Sequence, residues 1–184
     1  PKLTIEKILH RCKKGDPEGF DELLSRYGKR CYGFFFRLSA DTELSEELLS
    51  RLFVRLVEKI GSFSGEEFEK WLFTVAANIF RDHLRSEYRR KKLLDQQADH
   101  VRQSGTQYSQ AAENIELNEQ TDALQRQLLK LDEQTRQMIV MRYYSQLTFK
   151  QIAQANGMPV GTVLSKVHRG LAKLRTLMEQ KNEQ

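Results

Sequence analysis

Two cysteines, Cys12 and Cys31, are all that the 184 residues hold. Each falls in an apolar helical pattern, so buried free thiols are expected, with no disulfide framework and no cysteine metal cluster. No apolar run approaches the roughly 20 residues that a membrane helix needs, and no signal peptide opens the chain. Strand-like alternation is missing throughout, and so is any repeat of fixed period. Catalytic material is scarce too. Glu66, Glu67 and Glu69 crowd a helix start, where the helix dipole favours acids. His83 has Asp82 beside it, but no nucleophile or metal cluster completes a site. The expectation is a soluble, cytoplasmic, all-α protein that is not an enzyme, with no cofactor, no metal and no catalytic residue. A start at Pro1 instead of Met suggests a trimmed N-terminus.

What the chain does have is charge in blocks. The hydrophobic fraction of 39% rules out wholesale disorder, and the formal net charge is +5. Residues 81–92 and 162–175 are basic, whereas 93–120 are acidic. Two basic blocks either touch a polyanion or are two solvated faces; composition leaves both open.

The stretch LTFKQIAQANGMPVGTVLSKVHRG over 147–170 resolves part of this ambiguity. Thr148 and Gln151 make a capping box that starts a helix. Gly157 suits a left-handed position past its end, and Pro159 blocks continuation. A second helix then runs from Val160, carrying Thr162, Ser165, Lys166, His168, Arg169, Lys173 and Arg175, with no acid between 162 and 175. A helix, a tight turn and a basic helix fit the major groove of duplex DNA, although an ordinary helical hairpin has the same outline.

Upstream, Ile5, Ile8, Leu9 and Cys12 mark a first helix. Gly15, Asp16 and Pro17 break the chain and restart it with an N-cap and a proline at the first helical position. Phe20, Leu23, Leu24, Tyr27, Cys31, Phe34, Phe35 and Leu38 stripe a second helix. A polar turn is expected over 39–43. A third helix over 44–60 buries Leu48, Leu49, Leu52, Phe53, Leu56, Val57 and Ile60 and shows Glu46, Glu47, Ser50, Arg51 and Arg55. After a loop over 61–65, Ser64 and Glu67 form a second capping box. The long fourth helix turns Phe68, Trp71, Leu72, Val75 and Ile79 inward. Residues 95–114 read as a polar linker. Helical periodicity returns at Leu117, Leu124, Leu128 and Leu131, and Asp132 caps a helix with Met138, Ile139, Met141 and Arg142. The fold class is therefore all-α, two small helical bundles joined by a flexible linker.

Three blocks together resemble a bacterial sigma factor of the extracytoplasmic-function group, in the sigma-70 family. FEKWLFTVAANIFRDHLR over 68–85 is similar to that family's tryptophan-bearing helix, SEELLSRLF over 45–53 to its polymerase-docking helix, and GTVLSK over 161–166 with Arg169 to its recognition helix. The resemblance implies an N-terminal domain over 1–94 that docks on core RNA polymerase and melts the minus-ten element. It implies an acidic linker over 95–114 that threads the polymerase, and a C-terminal domain over 115–184 that reads the minus-thirty-five element. Docking would fall to Glu46, Glu47, Ser50, Arg51 and Arg55. The loop over 61–67 would capture an extruded base, whose unstacking costs a few kcal/mol. Ser64 would hydrogen-bond there, and Phe63 would stack on the base or join the core. Trp71 is read as core.

Asn78 belongs to the melting helix, and Arg81, Arg85, Arg89 and Arg90 would grip phosphates. Leu164, Ser165 and His168 would face base edges, with Lys166 and Arg169 on phosphate or guanine, Thr162 also among the DNA-binding residues, and Arg142, Thr148 and Lys150 clamping the backbone nearby. Leu164 departs from the family's usual Arg or Lys. Glu47, Ser50 and Arg51 depart from its usual docking residues. A separate anti-sigma partner is expected to control the protein. A stand-alone helix-turn-helix regulator is the rival; it would need a dimer interface and an operator with two half-sites. In a free or inhibited state the two bundles are expected to pack together, with residues 85–92 against the C-terminal bundle.

Overall fold

The computed structural model describes residues 3–65, 67–97 and 119–180, and these form eight α-helices and one 3-10 turn. Most of the expected linker, Asp99 and Glu113 included, lies outside the described residues, as does the threading expected of it; so do Glu66, Glu116 and Leu117.

Helix α1 (Ile5–Lys13) is followed by Lys14 and then Gly15, whose φ of +75° turns the chain back. Asp16 then accepts the amide of Glu18 at 3.0 Å, and Pro17 opens α2 (Pro17–Ser39). Ala40, in the left-handed region at φ +53°, closes α2, and Asp41 caps α3 (Thr42–Lys59) by accepting the amide of Leu44 at 2.9 Å. The polar turn expected over 39–43 thus shrinks to two residues. The 3-10 turn Ile60–Ser62 leads into a short loop and then α4 (Phe68–Gln97), which runs three residues beyond the expected domain boundary.

The N-terminal core is aromatic. Phe34, Phe35, Phe73 and Phe80 are essentially inaccessible, and Phe34 meets Phe35 edge-on at 5.6 Å. Each buried ring contributes about 1.5–3 kcal/mol. Two expected core positions are not in it: Val57 is 57% exposed and Leu24 45%. The α3 stripe repeats as Leu48, Leu52, Leu56, and Val57 falls one step past its edge.

The C-terminal bundle is α5 (Glu119–Leu129), α6 (Glu133–Tyr143), α7 (Phe149–Asn156) and α8 (Val160–Glu179). Asp132 caps α6 through the amide of Thr135 at 2.9 Å. Seven consecutive α6 residues, Thr135, Arg136, Gln137, Met138, Ile139, Val140 and Met141, are buried. Burial around a whole helix means that two different surfaces cover it. Helices α7 and α8 cover one side, and α2 and α4 of the N-terminal bundle cover the other.

Candidate nucleic-acid interface

The helix-turn-helix forms as its capping residues require. Thr148 accepts the amide of Gln151 at 3.2 Å, the Gln151 carboxamide oxygen accepts the Thr148 amide at 2.9 Å, and the two side chains also bond. Gly157 takes φ +62°, and Pro159 is the N-cap of α8. Gly170 sets the depth of α8. A Cβ there would lie 2.4 Å from Thr135 Cγ2 and 2.9 Å from Ile139 Cδ1, so only glycine lets α8 press this closely on α6.

That crossing turns one face of α8 to solvent. Leu164, Ser165, His168 and Arg169 line a shallow concavity, with Leu164 44% exposed. Two of these side chains are held against their own helix: Ser165 Oγ donates to the Gly161 carbonyl at 2.8 Å, and Arg169 Nε to the Ser165 carbonyl at 3.3 Å. Thr162 is exposed, and Lys166 is half-buried. Nearby, Lys150 is exposed, whereas Arg142 lies over the Phe149 ring at 5.0 Å and donates to the Leu147 carbonyl at 3.2 Å. The Thr148 hydroxyl is engaged in its cap.

The α4 face is different. Arg81 Nη1 donates to the Ala155 carbonyl in the last turn of α7, and Nη2 donates to Asn78 Oδ1 at 2.7 Å. Its Nε is buried with no partner among the described residues. Burial, then the neighbouring Arg85, lowers the pKa of this guanidinium. Farther along, Arg85 approaches Asp82 at 3.9 Å, Arg90 pairs with Glu87 at 2.6 Å, and Arg89 is exposed.

In the loop before α4, Phe63 is turned inward and only 8% exposed, edge-on to Phe68 at 5.5 Å and tilted on Trp71 at 5.0 Å. Of its two expected uses, this packing corresponds to the core one. Ser64 is exposed. Helix α4 begins at Phe68, and the Glu67 carboxylate turns to Lys70 and to Gln151 Nε2, the latter at 3.4 Å, instead of back toward Ser64. On α3, Glu46, Glu47, Ser50, Arg51 and Arg55 are all exposed. Glu47 pairs with Arg51, Arg55 with Glu58 at 3.3 Å, and Ser50 Oγ donates to the Glu46 carbonyl at 3.0 Å.

The two bundles are packed together, but through other residues than expected. The contacts come earlier on α4 than residues 85–92 and from α2 as well. Gln137, on α6, donates through Nε2 to the Ala77 carbonyl at 2.7 Å in a buried setting. Tyr144 reaches across Gly33, donates its hydroxyl to the Arg30 carbonyl at 3.0 Å, meets the Phe73 ring edge-on at 6.3 Å and carries the Arg37 guanidinium at 4.2 Å. A Cβ on Gly33 would come within 2.5 Å of the Tyr144 hydroxyl. Gln125 Nε2 donates to the carbonyls of Phe36 and Arg37 at 3.1 and 3.2 Å. Sequence reasoning missed Gln125, Gln137 and Tyr144. They are polar residues in or next to helices, with no pattern to show that a second bundle covers them.

The architecture is a two-bundle helical protein that carries a helix-turn-helix. Residues 23–90 match Sigma-70 region 2, and residues 121–174 match Sigma-70, region 4. The chain is 29% identical over 185 residues to the ECF RNA polymerase sigma factor SigW of Bacillus subtilis, covering 94% of this chain and 96% of that one. It is 27% identical over 173 residues to the ECF RNA polymerase sigma-E factor of Escherichia coli, covering 91% and 90%. The fold is shared with CnrH, solved in complex with the cytosolic domain of CnrY, at TM-score 0.62 and 19% identity over 94% of this chain and 96% of that one. It is shared too with the sigma factor RpoE of Bartonella quintana, solved with the anti-sigma factor NepR, at TM-score 0.63 and 23% identity over 87% and 96%. The chain belongs to the sigma-70 family, in its extracytoplasmic-function group. That family consists of transcription initiation factors, not catalysts. No helix among the described residues is long and apolar enough to cross a membrane.

Proposed function

We propose that this chain is an alternative sigma factor that brings core RNA polymerase to particular promoters in the cytoplasm, acts without catalysis of its own, and is held in check by an anti-sigma factor. The observation that carries the reading is one chain with two separate cationic helices, α4 and α8, in the two segments that match sigma-70 regions 2 and 4. Solved relatives bound to partners such as the anti-sigma factor NepR support the last part.

In this reading the domain over 1–94 docks through Glu46, Glu47, Ser50, Arg51 and Arg55 and melts the minus-ten element. Asn78, Arg81, Arg85, Arg89 and Arg90 hold the opened strand, and the loop with Ser64 captures a base. Phe63 supports that loop from beneath. The domain over 115–184 reads the upstream duplex with Thr162, Leu164, Ser165, Lys166, His168 and Arg169. Lys150 and the Arg142–Thr148 corner lie against the backbone. The packed bundles are a resting form. Arg81 serves two partners in turn, the Ala155 carbonyl at rest and promoter phosphate when open. Its unpaired Nε makes the resting partner the poorer one, since a buried unsatisfied donor costs about 1–3 kcal/mol.

Run-off transcription with purified core polymerase and genomic fragments tests the reading. Start sites that appear only with this protein are expected. Tight operator binding by the protein alone, with no new start sites, would replace it with the stand-alone regulator.

A further inference from the structure

The geometry points to Lys13, at the end of α1, as a positioning residue for the loop that captures the minus-ten base. This inference rests on the base-capturing role proposed above for residues 61–67.

Lys13 Nζ donates to the main-chain carbonyl of Phe63 at 2.6 Å, across fifty positions of sequence, and lies 6.0 Å from the centre of the Phe63 ring. Three independent ties therefore converge on one residue. The ring is wedged against Phe68 and Trp71, the amide of Phe63 donates to the Ile60 carbonyl at 3.1 Å, and the carbonyl accepts from Lys13. An ammonium donating to a carbonyl is a charge-assisted bond, stronger than a neutral one. With the peptide after Phe63 fixed, the orientation of the Ser64 amide is fixed too, because a peptide unit is planar. Ser64 and Gly65 remain exposed on the outer side of this anchored turn. A turn ordered in advance loses little entropy when a base enters, and that saving appears as affinity and discrimination.

Lys13 is itself well placed for the task. Arg11 pairs with Asp16 at 2.6 Å and also with Glu18, which ties the end of α1 to the start of α2. Ile8 and Cys12, on the inner side of α1, are buried in the same core as Ile60 and Phe63. The lysine stem thus starts from a fixed helix end, and only its head reaches the loop.

The test uses holoenzyme assembled from the full chain and core polymerase, on a promoter fragment recovered by run-off transcription. The fragment is pre-melted by mismatches over the minus-ten element, and each of the four bases is placed in turn at every minus-ten position. With Lys13→Met the preference for the favoured base is expected to fall about tenfold, the lower end of what one hydrogen bond to a charged group contributes. Binding of the three disfavoured bases and affinity for the upstream duplex should stay as in the wild type, and thermal unfolding should drop by only a few degrees, about 2–4 °C for a bond of this scale. Lys13→Arg, which keeps a cationic donor, should restore the preference.

A loss equal for all four bases, with a shallower salt dependence, would make Lys13 a plain phosphate contact and overturn the proposal. Unchanged preference would overturn it as well. If wild-type holoenzyme prefers no base at any minus-ten position, the base-capturing role of the loop fails, and this proposal fails with it.

Discussion

Helices α4 and α8 carry the same kind of chemistry to opposite situations. Both are amphipathic, and both turn cations away from the core. On α8 the presented face is open: Leu164, Ser165, His168 and Arg169 look into solvent, and Arg169 and Ser165 are braced on their own backbone. On α4 the leading cation has been given away, because Arg81 ends on the Ala155 carbonyl and the buried Gln137 bonds the backbone one turn before it. A duplex is read as it stands, so a reading surface gains from being rigid and permanently exposed. A surface that holds single strands would bind any exposed nucleic acid, through contacts that carry no sequence information. In the proposed function, closing over Arg81 withholds one strand contact of α4, while Arg85, Arg89, Arg90 and the α8 face stay exposed.

Breaking the open side gives the largest effect. Gly170→Ala places a methyl 2.4 Å from Thr135 Cγ2, and overpacking of this kind should destabilise the C-terminal bundle by about 2 kcal/mol, the better helix propensity of alanine included. Upstream duplex affinity should fall with it, while initiation from a pre-opened template stays intact. Thermal unfolding and duplex titration check the two halves separately. A sharper probe leaves the scaffold alone. Leu164→Arg adds a planar donor pair to the exposed face, and a bidentate contact to guanine discriminates by about 1–3 kcal/mol. Selection from a randomised upstream duplex should then yield guanine at one position where the wild type tolerates other bases.

How much of this could be read in the sequence follows the same division. Several helix ends closed locally by a side chain or a glycine were legible: Asp16 with Pro17, Asp132, the Thr148–Gln151 box and Gly157 all act within three or four residues of themselves, whereas Asp41, which caps α3 in the same way, was read as part of a turn. The α8 face was legible because its inner side, Val163, Val167, Gly170 and Leu174, repeats at helical spacing and leaves the rest outward. Val57 was misplaced because an apolar residue at the margin of a stripe satisfies the periodicity equally well on either side. Helix α6 has buried residues all around it, so its sequence shows no stripe at all, and nothing in it marks Gln137 or Tyr144 as contacts to a second bundle. Covering by a second bundle is a long-range event, and no local spacing encodes it. Lys13 was invisible for the same reason: its partner is a main-chain carbonyl, and every residue has one.

The closed side can be loosened with a substitution whose two consequences have opposite signs. Gly33 lies inside α2, where glycine costs about 0.5–1 kcal/mol relative to alanine. Gly33→Ala should therefore raise the unfolding temperature of the N-terminal bundle. The same methyl would sit 2.5 Å from the Tyr144 hydroxyl, so the ring must withdraw and give up its bond to the Arg30 carbonyl, about 1 kcal/mol of closure. Energy transfer between dyes on the two bundles should report a wider separation. Affinity for a minus-ten single strand should rise by a few-fold, because a larger fraction of molecules presents Arg81. Tyr144→Phe removes the hydroxyl bond without the methyl, and should open the bundles without stabilising α2. If Gly33→Ala stabilises the N-terminal bundle and leaves both the separation and the strand affinity unchanged, the contact at Tyr144 does not hold the closed form. Arg81, Gln125 and Gln137 would then be left to hold it.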